Sequence, residues 1–141
     1  MIKKLTLILF LFTLFLTSCG VLPINTGDNL SGSAWIMVSY DGTTLLPDTA
    51  MTASFEDGRI SGSASCNHYF GSYKLKGDQI QIDGLGWTEM ACMDPEGIME
   101  QEQQVMRYLS KAATFSIHGQ DMQIITGSGE ILVFQQAETL D

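Results

Sequence analysis

Tight turn signals recur through the middle of this chain and restrict it to an antiparallel β architecture. Asp41-Gly42, Asp57-Gly58, Gly77-Asp78, His118-Gly119 and Gly127-Ser128-Gly129 separate short runs rich in apolar and β-branched residues. Parallel strands need crossovers of about a dozen residues, and turns this short leave no room for them. Short Gly-containing turns between such runs are the pattern of β-hairpins. The runs lie at 35–39, 49–55, 59–65, 70–76, 79–82, 113–118, 121–126 and 131–135. The third is crowded with small residues (Ser61, Gly62, Ser63, Ala64, Ser65). A glycine within a strand marks a bulge or a close backbone approach.

One stretch breaks the pattern. Residues 95–111 read as a helix, with Asp94 as N-cap and Pro95 at the first helical position. Glu96, Glu100 and Glu102 come early, and Arg107 and Lys111 come late, which suits the helix dipole. Ile98, Glu102, Val105 and Leu109 trace one side, with Met99 and Met106 beside it. The expected fold class is therefore α+β: a strongly curved antiparallel β-sheet, or partial barrel, with one α-helix packed against it.

The N-terminus is set apart from this pattern. Lys3 and Lys4 precede an apolar run at 5–16, broken by Thr6 and Thr13. That run is shorter than the ~20 residues a membrane span needs, and it has the length of a signal-peptide core. Leu16-Thr17-Ser18-Cys19 resembles a lipobox. The expectation is a lipoprotein signal peptide at 1–18 and a lipidated Cys19 carrying diacylglycerol and an amide-linked acyl chain such as palmitate. Several acyl chains together hold a protein at a membrane. Gly20, in place of Asp, points to the outer membrane, facing the periplasm. Residues 19–33 read as a flexible tether, 34–136 as the folded domain and 137–141 as a C-terminal tail. With 141 residues, one domain is expected.

Charge narrows the choice of partners. The chain has 7 basic and 16 acidic residues, and losing Lys3 and Lys4 with the leader moves its net charge from −9 to −11. Nucleic acid is excluded as a partner, because no basic patch exists to neutralise phosphates. The expected partners are the membrane, through the lipid anchor, and an envelope protein or small-molecule ligand.

Of three cysteines, Cys19 is the one expected to carry lipid. Cys66 and Cys92 remain as an even pair in an extracytoplasmic compartment, which favours a disulfide. Closing that loop of about 27 residues stabilises a fold by roughly 3–4 kcal/mol in the chain-entropy picture. Three other uses of this region stay open. Cys66 and His68, two apart on a strand, point the same way and suit a nucleophile and its base. Met90, Met93, Met99, Met106, Cys66, Cys92 and His68 offer soft ligands for Cu(I), although methionines at this spacing are also ordinary core filler. Trp87, beside Gly84 and Gly86 in an expected loop, is a contact candidate for a binding module.

Two motifs carry a family resemblance. Gly62-Ser63-Ala64-Ser65-Cys66-Asn67-His68-Tyr69-Phe70-Gly71-Ser72-Tyr73 resembles the Gly-x-x-x-Cys-Asn-x-Tyr-x-Gly-x-Tyr stretch of the META domain, or HslJ-like, family. Thr88-Glu89-Met90-Ala91-Cys92 resembles its Thr-x-Met-Ala-Cys motif. The family residues are thus Gly62, Cys66, Asn67, Tyr69, Gly71, Tyr73, Thr88, Met90, Ala91 and Cys92. Ser65 departs from the pattern, since many members have Gly there. The resemblance implies a bent antiparallel sheet with one helix in a secreted or periplasmic protein, often a lipoprotein. It also implies association with heat-shock response, drug tolerance or virulence, and it brings no established enzymatic activity. No cofactor is expected. From the residues alone, Gly62 and Gly71 suit tight packing or positive φ, and Asn67 suits a turn.

Overall fold

The computed structural model describes residues 30–137. Its elements run β1 (Ser33–Tyr40), β2 (Thr43–Thr44), β3 (Thr52–Glu56), β4 (Arg59–Ser63), β5 (His68–Lys76), β6 (Gln79–Trp87), α1 (Ile98–Leu109), β7 (Ala112–His118), β8 (Asp121–Thr126) and β9 (Ile131–Gln136). Every strand pairing is antiparallel, with neighbours in the order β2-β1-β3-β4-β5-β6-β7-β8-β9.

The sheet closes on itself. β9 pairs with the outer edge of β1 through Trp35↔Gln136, Met37↔Phe134 and Tyr40↔Leu132. Eight strands therefore form a closed barrel, and the expectation of a partial barrel is corrected. Closure gives the first and last strands of the sheet a hydrogen-bonding partner instead of a bare edge. β2 sits outside the ring, on the end of β1 that β3 does not reach.

The two-residue period of the strands fills the interior. Trp35 and Met37, Ala53 and Phe55, Met122 and Ile124, and Leu132 and Phe134 alternate inward from four of the strands. Phe55 and Tyr73 meet edge to face, ring centroids 5.1 Å apart. α1 contributes Val105, Met106 and Leu109 to the same core. The helix packs at the end of the barrel where the β2–β3 and β4–β5 connections lie. There Gln101 accepts a hydrogen bond from Leu46 N–H at 2.7 Å and donates to Thr49 and Ser65.

Several expected boundaries shift, and three of the shifts bear on the site. The helix begins at Ile98, not at 95, because Gly97 stands at φ 90° in the left-handed region, where a right-handed helix cannot continue. Asp94 and Pro95, joined by a cis peptide, form a bend, and Glu96 and Gly97 form the turn before it. β6 runs to Trp87 rather than stopping at 82, so Trp87 ends a strand and is not in a loop. The last four residues assigned to the tether belong to the fold: Leu30 is fully buried, and Gly32 N–H donates to the Phe55 carbonyl. The proposed leader and Cys19 lie outside the described residues.

Candidate functional site

Asn67 is the centre of the motif region. It is 1% exposed, at the end of the β4–β5 connection. Its Oδ1 accepts from the Thr88 hydroxyl at 2.8 Å and from Met90 N–H at 2.7 Å. Its Nδ2 donates to the Met90 carbonyl at 3.1 Å and to Glu102 Oε1 at 2.6 Å. Its backbone N–H donates to Glu102 Oε2 at 2.8 Å. One side chain thereby joins the segment after β6 to the buried face of α1. A polar group this deep is tolerable only when its hydrogen bonds are made.

The disulfide reinforces the same corner. Cys66 and Cys92 are bonded, with Cα atoms 5.9 Å apart, inside the range a disulfide accepts. Gly62 leaves room for a close approach of β3: a Cβ there would stand 1.9 Å from the Thr52 carbonyl oxygen. That carbonyl accepts from the Tyr69 hydroxyl at 2.8 Å. Burial pushes the Tyr69 phenol well above its usual pKa. Gly71 faces the Leu85 side chain, and Tyr73 lies in the core. Ala91 is exposed between Met90 and Cys92.

The other readings fare differently. With its sulfur in the disulfide, Cys66 has no thiolate to offer, and His68 is exposed beside it. The methionines are dispersed. Met106 is in the core, the Met99 sulfur accepts from Cys92 N–H at 3.5 Å, and Met93 is 91% exposed. No group of three or more His, Cys, Asp or Glu placed to hold a metal occurs among the described residues. No helix there is long and apolar enough to cross a membrane.

A groove adjoins this corner. It measures about 700 Å³ and runs between the second half of β6 and α1. Ile82, Leu85 and Trp87 form one wall, and Met106 and Arg107 the other. Trp87 is 45% exposed there, and Phe70 is exposed on the adjoining strand with its ring over Gly86. Glu102 and the groove wall of α1 were not singled out by the motifs. The signal for Glu102 was a carboxylate inside an otherwise apolar helix stripe.

The comparisons agree with this fold. The sequence profile of the META domain matches residues 28–139. A protein from Burkholderia xenovorans solved by NMR is 26% identical, with a TM-score of 0.65 over 77% of this chain and 83% of that one. Another NMR structure is 22% identical, with a TM-score of 0.62 over 77% and 92% of the two chains. A crystal structure of a DUF4847 family protein from Bacteroides vulgatus, 12% identical, gives 0.57 over 75% and 93%. No curated protein matches the chain. With Gly62, Cys66, Asn67, Tyr69, Thr88, Met90 and Cys92 gathered at one barrel corner, Gly71 and Tyr73 further along β5, and the profile spanning every described residue, the chain belongs to the META domain family.

Proposed function

We propose that the protein is a lipid-anchored, non-enzymatic component of the cell envelope that works by binding a partner in the groove between β6 and α1. In this reading Cys19 carries the lipid, the outer membrane holds the protein facing the periplasm, and the partner links it to envelope stress response or drug tolerance. The groove is the observation that carries it: an exposed Trp87 beside Leu85, Ile82 and Met106, next to a rigid, cross-linked corner. Aromatic anchors in a concave apolar site are the usual centre of a binding surface. The motif residues serve as its support, since Asn67 and Glu102 satisfy one another and Cys66 is bonded to Cys92.

Two measurements test the reading. Metabolic labelling with palmitate should mark the chain, and Cys19→Ser should lose both label and membrane association; an unlabelled wild type overturns the anchor. A photo-crosslinking residue at position 87, in intact cells, should give a discrete adduct that the same residue at exposed Gln123 does not give. Equal adducts, or none, overturn the groove as the binding site.

A further inference from the structure

The closed ring is held between β6 and β7 at one end only, beside this groove. β6 reaches β7 only through Gln79↔Thr114, and Phe115 N–H donates to the Asp78 carbonyl at the same place. From Ile80 to Trp87 the second edge of β6 has no strand partner among the described residues. α1 stands off from it across the groove. A bare strand edge presents alternating N–H and C=O groups, and an extended chain is the ligand whose own groups match them. A bulge lies within the stretch: Gly84 and Leu85 fall between the pairs Ser72↔Asp83 and Phe70↔Gly86. Bulges of this kind re-aim side chains next to functional sites.

Charge gives the occupant a further property. Asp83 lies within the open stretch and Glu89 just beyond its end, so the two flank the groove-lining part, Gly84 to Trp87, in a chain of net charge −9. Arg107, across the groove, has its guanidinium engaged by Gln104. We infer that the open edge of β6 takes an extended polypeptide segment of a partner as an added strand. A large apolar side chain of that segment enters the groove against Trp87, Leu85 and Met106, and basic side chains at its ends meet Asp83 and Glu89. The inference rests on the groove being a binding site and names the class of partner it takes.

The test uses the full chain in lipid nanodiscs and a fluorescent, end-capped peptide, Lys-Val-Leu-Val-Lys. Comparators are the same peptide N-methylated at alternate backbone amides, a Glu-flanked version, and palmitate. The Lys peptide should bind and slow hydrogen exchange at Leu85 to Trp87. N-methylation, Glu flanks and Trp87→Ala should each weaken binding about tenfold, the scale of one lost pair of hydrogen bonds. Circular dichroism and the absence of free thiols confirm that the variant is folded. Equal binding of the N-methylated or Glu peptide overturns the inference, as does protection of the edge by palmitate with no peptide bound. Failure of every peptide while the position-87 adduct persists in cells overturns the strand-addition inference and leaves the binding site standing.

Discussion

At Gly62 an added methyl group would lie 1.9 Å from the Thr52 oxygen and 2.7 Å from its carbonyl carbon, both backbone atoms that cannot swing aside. Gly62→Ala should therefore separate β3 from β4 and cost about 3 kcal/mol or more in urea unfolding. An unchanged midpoint would contradict the close approach. Ser65 has the opposite character. It stands at φ 89°, a conformation that glycine adopts freely and L side chains resist. The departure from the family pattern at this position thus kept the backbone shape that glycine serves. Ser65→Gly gives up a 3.3 Å hydrogen bond from Gln101 and relieves the backbone, so stability should rise by about 0.5–1 kcal/mol. Tyr69 supplies a pH dependence. Its folded pKa is raised by burial above the ordinary 10.0, so the unfolded chain releases this proton first as pH climbs. Its contribution is fully present below pH 10 and is lost progressively above it. Tyr69→Phe should cost about 1 kcal/mol at neutral pH, for the bond to Thr52, while flattening the alkaline decline between neutral pH and pH 11. A wild-type curve with no alkaline decline would refute this.

α1 is held to the barrel by two polar side chains within its apolar stripe as well as by the stripe itself. Gln101 and Glu102 are both buried; Gln101 bonds the β2–β3 and β4–β5 connections of the barrel, and Glu102 bonds Asn67 at the end of the β4–β5 connection. Glu102→Ala would strand the buried Asn67 backbone N–H without its acceptor and leave Nδ2 only the Met90 carbonyl, so it should cost about 2–4 kcal/mol. Glu102→Gln retains one acceptor and should cost clearly less. Hydrogen exchange at Met90 should accelerate in the Ala variant, because its N–H depends on the orientation of Asn67. Equal stability of the two variants would remove this role from Glu102. The same element shows what sequence reading reaches. The hairpins are legible because Asp-Gly and Gly-Asp turns sit between alternating runs, and the apolar stripe of α1 is legible from its period. The second half of β6 is not, because Gly84 and Gly86 erase the strand pattern and pairing with β5 across a bulge keeps the strand going. The Asn67 motif is visible in the chain, yet its partner Glu102 lies 35 residues away and is joined to it only by the fold. The groove is invisible for the same reason: one wall is a strand, the other a helix, and neither is concave alone.

For the whole molecule, closure and cross-linking act at different places. β1 meets β9 through contacts between the two ends of the folded chain, which are slow to form because the intervening chain must be ordered first. The Cys66–Cys92 bond closes a shorter loop, with a sequence separation of 26, and ties the β4–β5 connection to the segment leading into α1. Reducing it should cost roughly 3–4 kcal/mol, by raising the conformational entropy of the unfolded chain. For a domain of this size that corresponds to a fall in Tm of about 10–20 °C. The Cys66→Ser, Cys92→Ser double variant should behave as the reduced protein does, since serine removes the bond with little change in side-chain size. On the proposed anchoring, Cys19→Ser should behave otherwise: no lipid, no change in Tm, and still no free thiol after unfolding in alkylating reagent. This contrast separates the work of the three cysteines. A Tm that falls with Cys19→Ser would mean that the anchor supports the fold. A Tm indifferent to reducing agent would mean that the barrel and the Asn67–Glu102 link hold the corner without the disulfide.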